Sequence, residues 1–151
     1  MTSYMNNMNI SQEEPIFTIS TAARMLNISV HTLRMYEREG LIIPHKKKSN
    51  QRLYSKADLE RIQCIRDAIN QAKISINGIK TIYSLIPCWE VVKCSDNDRK
   101  VCKAYMGSHE PCWTYSHPET ICEKKECRSC EIYYRYSECG MIKELIKSIS
   151  R

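Results

Sequence analysis

The chain has 151 residues, with 23 Lys and Arg against 17 Asp and Glu, and nine cysteines. That length admits two small domains rather than one large core. A net charge of +6 favours a polyanionic partner. Because no apolar run reaches about 18 residues, a membrane span is excluded.

Residues 1–15 are rich in Met and Asn, have no basic start and no apolar stretch of signal-peptide length, and read as a flexible leader. Residues 16–86 follow as a helical head. Ser20 is the expected N-cap of a first helix, with Ala22, Ala23 and Leu26 on one face. Asn27 tolerates the left-handed backbone that a tight corner requires, and Ser29 caps a second helix whose Val30 and Leu33 face inward. Gly40 and Pro44 stop that helix.

His31, Thr32, Arg34, Met35 and Arg38 are left for the outer face of the second helix. They suit the major groove, where Arg pairs bidentately with guanine and Thr offers a hydroxyl or methyl contact. Lys46, Lys47, Lys48, Gln51 and Arg52 form a polar loop between two extended apolar segments, Leu41 to Ile43 and Leu53 to Tyr54. This is the pattern of a wing reaching for phosphate. Ser55 then caps a third helix starting near Lys56, along which Leu59, Ile62, Ile65 and Ile69 recur at helical spacing. Residues 76–86 supply a fourth helix. The plain alternative is a small protein-binding domain with a solvated basic loop.

Charge follows the same division. Residues 16–86 hold 12 basic against 5 acidic side chains, or +7; residues 87–151 hold 11 against 10, or +1; the leader carries −2. The positive field belongs to the head.

These motifs carry a family resemblance. LRMYEREGL, QRLYS and DLERI within residues 16–86 resemble the DNA-binding region of the MerR family, most closely its heat-shock repressor branch. The resemblance implies a winged helix-turn-helix acting as a homodimer on a near-palindromic double-stranded operator, with RNA polymerase as a further partner. Carried across by motif, it places Arg34 and Tyr36 on the DNA from the second helix, with His31 and Thr32 near base edges, and Arg52 and Tyr54 in the wing. Thr18, Ser29, Arg38, Lys46, Lys47 and Lys48 complete the candidate DNA contacts. Tyr36 has a second reading as a core aromatic.

The second half has few aliphatic residues before its last helix and must be held by something else. Cys64 lies on a head helix as a small core residue, whereas Cys88, Cys94, Cys102, Cys112, Cys122, Cys127, Cys130 and Cys139 fall within 52 residues. A DNA-binding protein of the cytoplasm keeps its thiols reduced, and cysteines this dense then point to metal before disulfides. Cys127 and Cys130 form a Cys-x2-Cys pair suited to zinc and to iron–sulfur sites alike. The series CWEVVKC, CKAY, PCW, Cys122 and CRSC resembles the two-CW type of cysteine-rich module over residues 88–134. It departs from that pattern at Lys103, where Pro is usual.

Seven ligand candidates result: Cys88, Cys94, Cys102, Cys112, Cys122, Cys127 and Cys130, with Cys139 outside the module. An iron–sulfur cluster, of which [4Fe–4S] is one form, and Zn2+ both remain open, as does a thiol switch. Trp89 and Trp113 read either as an apolar shell around the sulfurs or as the only large hydrophobes of a tiny core. His109 and His117 flank Cys112 as candidates for a mixed site. No catalytic constellation is present, so the chain reads as a non-enzyme.

The fold class expected is mainly α: a winged helix-turn-helix head over 16–86, a small irregular metal-stabilised domain over 87–139 and an amphipathic helix over 140–151. The function expected is a DNA-binding transcriptional regulator whose cysteine module senses redox, gas or metal status. The alternatives are a regulator with a purely structural zinc module, or an adaptor whose cysteine module binds a protein.

Overall fold

The computed structural model describes residues 11–137 and 140–150, and Cys139 lies outside them. The fold is mainly helical with one small sheet, and it divides into two compact units, Met1–Ala72 and Lys73–Arg151.

In the first unit, strand β1 (Phe17–Thr18) leads into helix α1 (Ile19–Leu26) and helix α2 (Val30–Arg38). Asn27 adopts the left-handed conformation at the corner, with φ 54° and ψ 47°, as its side chain allows. The cap of α1 is Thr18 rather than Ser20: its Oγ1 accepts from the Thr21 amide at 3.3 Å. The reason is non-local. Residue 17 pairs with Tyr54 and residue 18 with Leu53, so the chain is still extended at Thr18 and turns into the helix there. Ser29 caps α2 as expected, its hydroxyl accepting from the Thr32 amide at 3.0 Å.

Strands β2 (His45–Lys46) and β3 (Arg52–Tyr54) form the hairpin, and the sheet order is β1-β3-β2. The apolar run Leu41 to Ile43 is not its first strand. Leu41 and Ile42 are instead buried in irregular backbone, and the Leu41 carbonyl accepts from Nε and Nη2 of Arg61, each at 3.1 Å. Arg61 sits on helix α3 (Lys56–Asn70), which Ser55 and Asp58 start with a reciprocal capping box.

Leu33, Leu41, Leu59, Ile62 and Ile65 form the centre of this core, each contributing about 1.5–3 kcal/mol through burial. Part of the expected leader is anchored as well. The Gln12 carbonyl accepts from Ala57 N at 3.0 Å, and its side-chain amide donates to Glu60 at 2.7 Å. Cys64 is half-buried and disulfide-bonded rather than a plain core residue.

The second unit begins with helix α4 (Ile76–Ser84), capped by Ser75. Short helices follow: α5 (Cys88–Val91), α6 (Asp96–Val101) and α7 (Lys103–Met106), then 3-10 turns at Cys112–Thr114 and Cys127–Ser129 and a π-turn at Ile132–Tyr136. Its core is aromatic. The Trp113 ring lies 5.4 Å from that of Tyr83 and 5.2 Å from that of Tyr133, and Trp89 meets Tyr105 edge-on at 5.2 Å.

Helix α8 (Met141–Ile149) packs against the π-turn through buried Leu145 and leaves Ile146 and Ile149 exposed. Among the described residues no helix is long and apolar enough to cross a membrane.

Candidate nucleic-acid interface and cysteine cavity

The two faces of α2 separate cleanly. Leu33 and Tyr36 are buried, whereas His31, Arg34 and Arg38 are exposed at i, i+3 and i+7, one stripe along the helix. Thr32 and Met35 are half-buried beside that stripe. Ser29 and Thr32 join their hydroxyls at 2.9 Å at the helix start. The helix therefore presents its N-terminal turn and its basic stripe to solvent together.

Tyr36 and Tyr54 were candidates for DNA contact by motif, and the structure places both in the core, at 1% and 0% exposure. Both rings are part of the head core. Thr18 is half-buried and occupied with its cap.

In the hairpin, the loop closes through Asn50 N to Lys47 O at 2.8 Å and Lys47 N to Gln51 O at 3.0 Å, with Asn50 at φ 63°. Lys46, Lys47 and Lys48 are exposed. Glu37 of α2 reaches across to the hairpin: its carboxylate accepts from Arg52 Nε and lies 3.7 Å from Lys46 Nζ. The Glu37 carboxylate holds the Arg52 guanidinium charged even more firmly than usual, through their hydrogen bond. This link was missed in the sequence because Glu37 reads there only as the outer end of a helical repeat. Arg24, exposed on α1, is a further cation that motif reasoning left out.

In the second unit the seven ligand candidates come together. Cys88, Cys94, Cys102, Cys112, Cys122, Cys127 and Cys130 all line one cavity of about 50 Å³, and all are free thiols. Space of that size exceeds what a single water needs. The rest of the wall is largely aromatic and aliphatic, with Trp89, Trp113 and Tyr133 among its residues, and is joined by Asp98, His117, Thr120 and Lys125. The two tryptophans are thus at once the shell of the sulfurs and the core of the unit. Among the described residues no three His, Cys, Asp or Glu side chains already stand close enough together to hold one ion.

Electrostatics shows how tightly the thiols are grouped. Cys88 hydrogen-bonds Cys112, which eases ionisation of Cys88 and raises the Cys112 thiol strongly; burial and the neighbouring Cys88, Cys130 and Cys127 push Cys112 the same way. Burial lifts Cys122 to about 11, with Cys130, Cys88 and Cys102 adding to the shift against Lys125. Cys127 is raised by burial first and by Cys130 second. The Cys94 side chain holds the Arg99 guanidinium charged more firmly than usual, through their hydrogen bond, and that guanidinium lies 5.8 Å from the Tyr105 ring centre. Thiols crowded in this way resist forming anions together.

Asp98 organises two of the cysteine segments. Its Oδ2 accepts from Ser95 N and Oγ at the start of α6, between Cys94 and Cys102, while Oδ1 accepts from Ile121 N at 3.1 Å, next to Cys122. These bonds, the Ser95 hydroxyl foremost, hold its carboxyl below the ordinary carboxylate range. Its folded value is depressed, so the stabilisation is present at neutral pH and is lost as pH falls through that value. Asp98→Asn is expected to lower the melting midpoint of the metal-free second unit at pH 7, followed by tryptophan fluorescence. As pH falls through that depressed value and the native carboxylate is protonated as well, the two proteins should converge. A gap that persists at low pH would assign the effect to something other than this charge.

Helix α4 is built into the same unit. Lys80 pairs with Glu110 at 3.0 Å, Ser84 Oγ donates to the Ser108 carbonyl at 2.8 Å, and Tyr83 meets Trp113. The first two contacts fall on the loop that leads into Cys112 and the third on the turn that begins there.

A capped helix pair followed by a short hairpin wing and a third helix defines the winged helix-turn-helix class. Within that class, residues 17–85 are a MerR-family domain, matching the family described as MerR HTH family regulatory protein. The chain is 31% identical over 80 residues to a putative heat shock protein HspR of Streptomyces coelicolor, covering 53% of each protein. It is 28% identical over 93 residues to the HTH-type transcriptional regulator GlnR of Bacillus anthracis, covering 61% of this chain and 71% of that one. To an HTH-type transcriptional regulator ZntR homolog of Haemophilus influenzae it is 38% identical over 68 residues, covering 44% of this chain and 50% of the other. The chain thus spans about half the length of the first of these relatives. No solved structure matches it. The family match ends at residue 85, so α4 belongs to the MerR domain by sequence and to the cysteine unit by its contacts.

Proposed function

We propose that this chain is a DNA-binding transcriptional regulator, a homodimer on a double-stranded operator, whose binding responds to a metal centre or iron–sulfur cluster held by the cysteine unit. The observation that carries this reading is the cavity itself: seven thiols line it, and its Trp113 wall meets, at a tilt, the ring of Tyr83 on the last helix of the MerR domain. A change of state at the sulfurs therefore acts on a side chain of the DNA-binding family domain with only one ring between. Coupling of two sites requires such a shared element, whose position both can bias.

A multi-atom cluster is the first reading, because seven thiols on one cavity exceed the four that a single zinc takes. When bound, such a cluster would supply one-electron chemistry or reactivity toward small oxidants and gases. The DNA would be met by His31, Arg34 and Arg38 from α2 and by Lys47 and Lys48 from the wing. No side-chain set suggests catalysis, so the reading is of a regulator and not an enzyme.

A structural zinc is the second reading, favoured by one feature. Cys127 and Cys130 sit on a tight 3-10 turn in which Cys130 N donates to the Cys127 carbonyl at 3.0 Å, a local shape that chelates a single ion well.

The test is the visible absorption of the protein purified without oxygen, with iron, sulfide and zinc assayed on the same sample and operator binding measured before and after oxidation. Iron and sulfide with a band at the blue end, and affinity that changes on oxidation, are the expected results. A colourless zinc protein with unchanged affinity would remove the sensing role and leave a structural clamp.

A further inference from the structure

We propose that His117, through Nδ1, is a nitrogen ligand of the group that the cysteines hold, sharing one corner of the cavity with Cys102. This rests on the metal-binding reading above and goes beyond it, because a ligand set of cysteines alone becomes a mixed sulfur and nitrogen set.

His117 is half-buried and lines the same cavity as the seven thiols, whereas His109 is exposed and does not. Its Nε2 lies 3.0 Å from the Cys112 carbonyl oxygen. A carbonyl only accepts, so Nε2 carries the proton and donates it. In the neutral ring Nδ1 is then left with an in-plane lone pair. That lone pair accepts a hydrogen bond from the Cys102 thiol, whose Sγ is 3.7 Å away. A histidine with one nitrogen donating to a backbone carbonyl and the other directed at a thiol has an arrangement that a metal can take over by replacing the thiol proton.

The distance agrees with a shared ion. Bond lengths of about 2.1 Å to nitrogen and about 2.3 Å to sulfur, at the tetrahedral angle, set the two donors about 3.6 Å apart. The observed separation is 3.7 Å.

The loop that presents the ring is fixed. Thr120 Oγ1 donates to the His117 carbonyl at 2.9 Å and accepts from the Cys122 amide at 3.2 Å, so one hydroxyl ties the histidine to the next cysteine. The orienting carbonyl belongs to Cys112, itself a ligand candidate. Three cysteine segments, at 102, 112 and 122, thus determine where Nδ1 points.

Zinc alone is the probe. X-ray absorption of the zinc-loaded full chain should show one nitrogen with the multiple scattering of an imidazole beside the sulfur shell. His117→Ala should lose that signal and bind zinc at least tenfold more weakly, while His117→Cys should keep the metal in an all-sulfur shell. His109→Ala serves as the unchanged control. An all-sulfur shell in the native protein, with His117→Ala binding equally well, would overturn the assignment and leave metal binding intact. If the native chain binds neither zinc nor iron, this proposal and the metal-binding reading fall together.

Discussion

Replacing Trp113 with Ala is expected to unfold the cysteine unit while the winged head remains folded. The indole is buried between Tyr83 and Tyr133 and also walls the cavity. Its removal should cost about 3–5 kcal/mol through lost burial and the void left behind. That loss compares with the whole stability of an ordinary small domain, about 5–15 kcal/mol, and this unit has few aliphatic side chains to compensate. Near-ultraviolet circular dichroism should collapse and metal capacity fall with it, while the helical signal of the head persists. Trp113→Phe, which keeps a ring between the two tyrosines, should lose much less. An alanine variant with an unchanged melting profile would mean that the core of the unit lies elsewhere.

Arg34→Ala is expected to weaken operator binding by about 1–3 kcal/mol, the worth of one bidentate contact to a base. Arg34 is the central member of the exposed stripe on α2, and the head core beneath it rests on Leu33 and Tyr36. Stability should therefore stay within about 0.5 kcal/mol of the native protein, as is usual for exposed positions. The specificity readout is competition between operator and random duplex. Loss of preference as well as affinity identifies base contact, whereas a uniform loss moves Arg34 to the phosphates. Unchanged affinity removes it from the interface.

Much of the head was legible in the sequence because its signals are local. Asn27, Ser29 and Ser55 act within a few residues of themselves, and their side chains do in the structure what their chemistry suggests. The failures came where a distant residue decides. Thr18 displaced Ser20 as a cap because of pairing with β3, and Leu41 to Ile43 read as a strand although Arg61, 20 residues on, claims the Leu41 carbonyl.

Tyr36 and Tyr54 carry the family motif, yet a motif does not say which way a ring points. In the second unit, cysteine spacing singled out seven candidates but not their convergence on one cavity. His109 and His117 could not be told apart in the sequence, because a histidine in a polar loop carries no signal until a carbonyl is seen to orient it.

The link from Glu37 to the wing bears on how the head would meet a charged rod. Lys46 and Arg52 already share a carboxylate from the side of α2, and Arg52 remains charged but partly neutralised. Each phosphate that a protein neutralises displaces a counterion and adds about −0.9 to the slope of log affinity against log salt. Counting every wing cation would therefore overstate that slope; Lys47 and Lys48 contribute fully and the Glu37-bound pair only in part. The same carboxylate ties the second helix to the hairpin, so the cations it holds are placed by the helix as much as by the wing.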